Sequence, residues 1–185
     1  MLINGKRVIL RAIELSDSEL LREMVNSASL EQYENGFSFP VSVNAQDKWM
    51  KEHLSGDTES RLIIELDGDP VGYMSIVNVD WKNKSCHTGI KLFSEKNMGQ
   101  GIGTDSVMAV MRFCFEQMHM NRIESCFLDF NTRSRALFVE KCRWAIEGQK
   151  RQAVFKNGQY HDLVLIGILR EEYDDLICER DYWKE

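Results

Sequence analysis

"NMGQGIGTDS", residues 97–106, places glycine at 99, 101 and 103. The run that follows, "VMAVMRFCFEQM" (107–118), has its spaced apolar residues at 107, 110, 111, 114, 115 and 118, the repeat of a helix. The stretch before it, "SCHTGIKLF" (85–93), reads as a strand. The unit is therefore strand, glycine loop, helix. Backbone N–H groups at a helix start lack intrahelical partners and, with the helix dipole, favour an anion. Glycines let such a backbone curl round a phosphate. The spacing here is G-x-G-x-G, which is not the G-x-G-x-x-G of dinucleotide-binding folds. Thr104 follows Gly103 with no lysine between them, which disfavours a nucleoside-triphosphate loop. The loop predicts a pyrophosphate ligand; the alternative is a glycine-rich turn that only tightens strand–helix packing.

Working outward, "KRVILRAI" (6–13) alternates as a strand, and Ser16 with Glu19 forms a Ser-x-x-Glu helix start. Residues 28–42 are loop-like and 45–54 helical. "RLIIEL" (61–66) and "PVGYMSIVNVDW" (70–81) are strands joined by Asp-Gly-Asp. "RIESCFLDF" (122–130) is a strand, and residues 131–142 form a helix capped by Asn131. Two closing strands turn at Asn157-Gly158, a type I′ signal, and the acidic tail from 171 is a short helix. The order β-α-α-β-β-β-α-β-α-β-β predicts an α/β fold with a mixed sheet and antiparallel hairpins, rather than a βαβ repeat.

The chain of 185 residues suits one domain, residues 1–185, with a real core. Its net charge of −6 and lack of a basic stripe exclude a nucleic-acid binder. No apolar run reaches the ~18–20 residues that span a membrane. No signal peptide is visible, so the expected compartment is the cytoplasm. The five cysteines are odd in number and form no CxxC, which argues against a disulfide framework or a zinc cluster; no metal site is expected.

Three ordered blocks carry a resemblance. Residues 98–103 (Met98-Gly99-Gln100-Gly101-Ile102-Gly103) resemble the acetyl-CoA loop of the GNAT N-acetyltransferases, with Met98 departing from the usual Arg or Gln. "NTRSRALFVEKCRWAIEG" (131–148) is similar to the family's second block at Asn131, Ser134, Glu140, Lys141, Glu147 and Gly148. Phe138 stands where tyrosine is usual, and Arg143-Trp144 replace Gly-Phe. Residues 154–173 resemble the closing hairpin of the subgroup holding ribosomal-protein N-terminal and spermidine acetyltransferases.

The resemblance implies a central, mostly antiparallel sheet flanked by helices, with strands 85–93 and 122–128 splayed round acetyl-CoA. The pantetheine arm would pair with backbone near Ile90, Lys91, Leu92 and Phe93. Amides from Gly99 to Thr104 would hold the pyrophosphate, and Asn131 the pantetheine, with Ser134, Phe138 and Lys141 in the same block. The reaction implied is direct transfer to a primary amine: a polyamine, a small amine or a protein N-terminus. The usual acid, the tyrosine at 138, is absent. His87, Glu34 and Glu124 are the candidate bases; Asp129 also lies beside the second splayed strand. Tyr33, Glu34, Phe37 and Phe39 would line the acceptor pocket. A homodimer is an expectation from the resemblance alone. The competing reading is a non-catalytic acyl-CoA sensor or scaffold of the same fold.

Overall fold

The computed structural model describes residues 2–36, 39–53 and 59–184. A short hairpin, β1 (Ile3–Asn4) and β2 (Val8–Ala12), opens the chain. Three helices follow: α1 (Ser18–Val25), α2 (Ala28–Glu31) and α3 (Val43–His53). Strands β3 (Ser60–Leu66), β4 (Asp69–Asp80) and β5 (Ser85–Leu92) form a meander. Helix α4 (Ile102–Arg112) leads to β6 (Arg122–Leu128), and α5 (Thr132–Arg135) to the closing hairpin β7 (Ala145–Lys156) and β8 (Gln159–Leu169). Helix α6 (Arg170–Arg180) ends the described elements.

These strands make one sheet of eight in the order β1-β2-β3-β4-β5-β6-β8-β7, antiparallel throughout except between β5 and β6. This is the mixed, mostly antiparallel sheet that the alternating strand segments predict. Helix α4 buries Val107, Met108, Ala109, Val110 and Met111 almost completely. It is apolar nearly all round because it packs on one sheet face, with Leu10, Ile64, Met74 and Ile123 in the same core. On the other face Leu21, Met24 and Met50 from α1 and α3 join Ile13, Ile63 and Tyr73 in a second, smaller core.

Two helix expectations need correction. Ser16 does not cap the first helix. A 3-10 turn, Leu15–Asp17, precedes α1, and the Asp17 carboxylate accepts from Glu14 N at 2.8 Å and from both Arg11 Nη atoms at 2.7 and 2.9 Å. Glu19 is bound to Arg22 instead (2.9 and 2.5 Å). A carboxylate charged by a neighbouring guanidinium outcompetes a hydroxyl for the turn. The helix at 131–142 is also not regular. After α5 the chain widens into a π turn, Ala136–Lys141, in which Cys142 N reaches the Leu137 carbonyl at 3.0 Å. Such turns recur at functional sites, and this one borders the cleft described next.

Candidate active site

The parallel ladder between β5 and β6 is short. Ser85, Cys86 and His87 pair with Arg122, Ile123 and Glu124, and there the pairing stops. Strand β5 stays with β4 as far as Leu92, while β6 stays with β8 as far as Leu128, so the two strands part. At the fork the Ser125 hydroxyl donates to the Thr88 carbonyl at 2.7 Å, taking the place of the lost backbone bond. The opening is a cleft of about 700 Å³.

One end of the cleft is the glycine loop. Gly99 and Gly101 have φ of +76° and +84°. Gly101 is the N-cap of α4, and the first helical bond runs from Asp105 N to Gly101 O at 2.9 Å. The amides before Asp105 therefore have no acceptor within the helix. An added Cβ at Gly99 or Gly101 would meet nothing within 4 Å, so the hollow is open to a ligand. At Gly103 it would meet only the Leu137 methyls, at 3.4 and 3.6 Å, an ordinary van der Waals contact with the π turn. The loop is braced from behind. The Asp105 carboxylate accepts from Lys6 N, Arg7 N and Val8 N at 2.7, 2.7 and 3.0 Å, and Arg7 Nη1 donates to the Gln100 carbonyl at 2.9 Å. Arg133, which is paired with Glu95 at 3.2 Å, and Lys141 also line the cleft. An amide-rich hollow of this kind fits a pyrophosphate.

Asn131, Ser134 and Phe138 line the wall. The Asn131 Oδ1 accepts from Ser134 N at 3.0 Å, which leaves its Nδ2 as the end for a ligand. Asn131→Ala is expected to lose about 1 kcal/mol of stability with the cap and, separately, to weaken CoA binding. Denaturation and calorimetry together separate the two losses; unchanged CoA affinity would leave Asn131 a cap only. Phe138 is buried, its ring edge-on to Trp144 with centroids 5.0 Å apart.

The other end is roofed by residues 31–36. Tyr33 and Glu34 line the cleft together with His87, Ile90, Lys91, Leu92, Met98 and Thr104. Glu34 is 2.8 Å from the Lys91 ammonium. Asn35 Nδ2 donates to Cys126 Sγ at 3.1 Å. A buried lysine holds the segment at both ends: Lys156 Nζ donates to the Glu31 carbonyl at 3.1 Å, to the Gly36 carbonyl at 2.8 Å and to the Glu31 carboxylate.

Several expected side chains lie elsewhere. The Phe93 side chain packs against the smaller core, Ile102 is buried in the larger one, and the Gln100 amide donates to the Lys96 carbonyl at 2.6 Å. The three were expected through their backbone: Gln100 and Ile102 keep that place in the loop, whereas the Phe93 N–H donates to the Val71 carbonyl at 3.0 Å. Glu124 is outside the cleft lining and is held by Arg122 at 2.8 Å. Asp129 lies beside His161 at 3.2 Å. Phe39 is 77% exposed and outside the lining, because its loop runs over the surface. Phe37 lies outside the described residues. The lining residues that sequence reasoning missed are chiefly Asn35, Arg61, Tyr73, Ser75, Cys126 and Arg133. They come from several segments, and only Arg133 lies within one of the quoted blocks. Among the described residues no cluster of three or more metal-ligating side chains occurs, and no helix is long and apolar enough to cross a membrane.

Burial lowers the His87 pKa below its ordinary 6.5, opposed by the Glu124 charge, so the imidazole is neutral at pH 7. Burial raises Cys126, against the Asn35 N–H and the Lys150 charge, so its sulfur stays a thiol and is a poor nucleophile. Burial likewise raises Tyr73 against the Arg61 guanidinium.

Residues 7–143 match the acetyltransferase (GNAT) domain, and the chain belongs to that family. It is 29% identical over 178 residues to the SPbeta prophage-derived uncharacterized N-acetyltransferase YokL of Bacillus subtilis, covering 92% of this chain and 94% of that one. It is 28% identical over 179 residues to the putative ribosomal N-acetyltransferase YdaF of the same organism, covering 92% and 95%. Its fold matches spermidine N-acetyltransferase from Vibrio cholerae, solved with CoA and spermine, at a TM-score of 0.84 and 19% identity, covering 91% and 99%. The protein is an acetyl-CoA-dependent acetyltransferase.

Proposed function

We propose that residues 1–185 act as one catalytic domain that moves the acetyl group of acetyl-CoA directly onto a primary amine, and more readily onto an α-amine such as a protein N-terminus than onto a polyamine. The observation that carries the reading is the cleft itself: a forked sheet with open-sided glycine amides and a half-buried neutral histidine in one lining. Bound acetyl-CoA supplies an activated thioester. Amides of Gly99 to Thr104 hold its pyrophosphate, with Arg133 and Lys141 beside them; Asn131 and the β5 backbone hold the pantetheine arm. Exposed β5 amides orient the thioester carbonyl oxygen by hydrogen bonding. The amine enters under Tyr33 and Glu34, and His87 takes its proton.

The acceptor preference follows from proton energetics. At pH 7 an ammonium of pKa ~10.4 costs about 4–5 kcal/mol to deprotonate, and an α-ammonium of pKa ~7.7–8 about 1 kcal/mol. A histidine weakened by burial is a poor match to the first and an adequate one to the second. Glu34, tied to Lys91, is not a free second base. The test is a screen of amines and peptides with acetyl-CoA, reading acetylated product by mass and free CoA thiol. Product from any primary amine supports the reading; CoA binding without transfer to any of them overturns it in favour of a sensor.

Phe138 bears on the rate. A CoA thiol has an ordinary pKa of ~8.5, so its thiolate leaves readily and water protonates it. Phe138→Tyr restores a hydroxyl at the family's acid position without removing the ring. It is expected to leave CoA affinity within about threefold and to raise turnover, since a positioned acid is worth up to ~10²–10⁴-fold. Equal turnover in both proteins would make position 138 a packing site.

A further inference from the structure

The cleft lining also contains an arginine–tyrosine pair that the proton-transfer chemistry leaves idle. Arg61 on β3 faces Ser75 on β4 across the ladder, and Tyr73 lies two residues along on the same face. Those positions are in register with Gly89 and Lys91 of β5, which puts them on the same face as His87. Arg61 Nη1 donates to the Tyr73 hydroxyl at 2.9 Å and Nη2 to the Glu59 carboxylate at 2.8 Å. Its guanidinium packs over the Trp49 ring at 5.1 Å, which fixes its plane. Its Nε is a buried donor with no acceptor among the described residues. The Tyr73 oxygen accepts from the Arg61 N–H, and its hydroxyl also shares a hydrogen bond with the Ser75 side chain.

The charges point the same way. The carboxylate of Glu34 is matched by Lys91, and that of Glu59 by Arg61. Among the described residues no lining carboxylate is left unmatched for a second ammonium, whereas the Arg61 Nε–H is left without an acceptor. A polyamine presents further cations beyond its reacting nitrogen. An α-amine presents an oxygen two bonds from the carbon that bears it.

We propose that Arg61 and Tyr73 form an oxygen-recognition subsite that selects acceptors carrying a carbonyl or carboxylate oxygen next to the reacting amine. The subsite rests on the reading of this part of the cleft as the acceptor side. Arg61 and Tyr73 there act on binding and orientation, not on the proton.

The experiment uses four acceptors: L-alaninamide, L-alanine, sec-butylamine and spermidine. The first two separate a peptide-like carbonyl from a free carboxylate, and the third lacks both. Since the amines differ in pKa, the quantity read is the change in the alaninamide to sec-butylamine ratio of kcat/KM between parent and variant, in which amine basicity cancels. Arg61→Met and the milder Tyr73→Phe are each expected to lower that ratio about tenfold or more, with the KM for acetyl-CoA unchanged. An unchanged ratio in both variants, or a parent enzyme that prefers spermidine to alaninamide, overturns the subsite. Calorimetric binding of N-acetylalaninamide to the CoA-bound protein decides the matter without turnover. Tight binding to the parent and weak binding to both variants supports the subsite even if no amine is acetylated, an outcome that would sink the transferase reading alone. No binding to the parent, or equal binding to all three proteins, overturns it.

Discussion

Gly101→Val is expected to abolish measurable CoA binding while leaving a folded protein. The space at this position is open, since an added Cβ meets nothing within 4 Å, so a protein clash is not the cause. The cause is the backbone. Gly101 holds φ at +84° as the N-cap of α4, a conformation that costs an L-residue roughly 1–2 kcal/mol and a β-branched one more. The chain escapes by turning to negative φ, which swings the amides before Asp105 away from the hollow. A ~100-fold rise in the CoA dissociation constant corresponds to about 2.8 kcal/mol, within reach of that strain plus the lost hydrogen bonds. Gly103→Ala is the control, because its Cβ meets only the Leu137 methyl at 3.4 Å and its φ is not in the left-handed region; a change within a few fold is expected. Calorimetry checks both. If Gly101→Val binds CoA as the parent does, the loop is a packing turn and the phosphate reading fails.

His87→Ala is the second large effect, a fall in kcat of about 10²–10⁴-fold if the imidazole is the base, with acetyl-CoA affinity nearly unchanged. Its signature is in the pH profile. Burial depresses the His87 pKa and the Glu124 charge opposes the depression. The neutral ring is the active form, so activity is lost as pH falls through a value below 6.5, and His87→Ala lacks that acid limb. Glu124→Gln removes the opposing charge and moves the limb to still lower pH. If the parent shows no fall beyond the amine's own titration, or if that extra fall survives His87→Ala, the base is elsewhere.

The glycine loop was legible because its signals are local. Three glycines in five residues and an asparagine before a helix report the backbone they need, as does the Asn-Gly turn of the closing hairpin, and the structure puts positive φ at Gly99, Gly101, Asn157 and Gly158. Tyr33, Glu34 and His87 were also named from the sequence and line the cleft, but the rest of that side was not legible, because its geometry depends on register. Arg61, Tyr73 and Ser75 share a face with His87 only once β3, β4 and β5 are paired. Local competition misled the reading at Ser16, where Asp17, held by Arg11, accepts the Glu14 N–H and the expected cap does not form. Phe39 was drawn to the pocket by its aromatic type, yet a loop residue has no periodicity to say which way it faces.

The Lys156 tie also sets an order in time. The nearer of the two carbonyls it grips is 120 residues earlier in the chain. Synthesis proceeds N-terminal first at about 5–20 residues per second, so residues 31–36 wait roughly 6–24 s for their anchor. The brace behind the glycine loop spans only 97 to 99 residues and is complete once Asp105 has emerged. On a growing chain the brace behind the glycine loop therefore closes before the tie on residues 31–36, which is acquired last, with the closing hairpin.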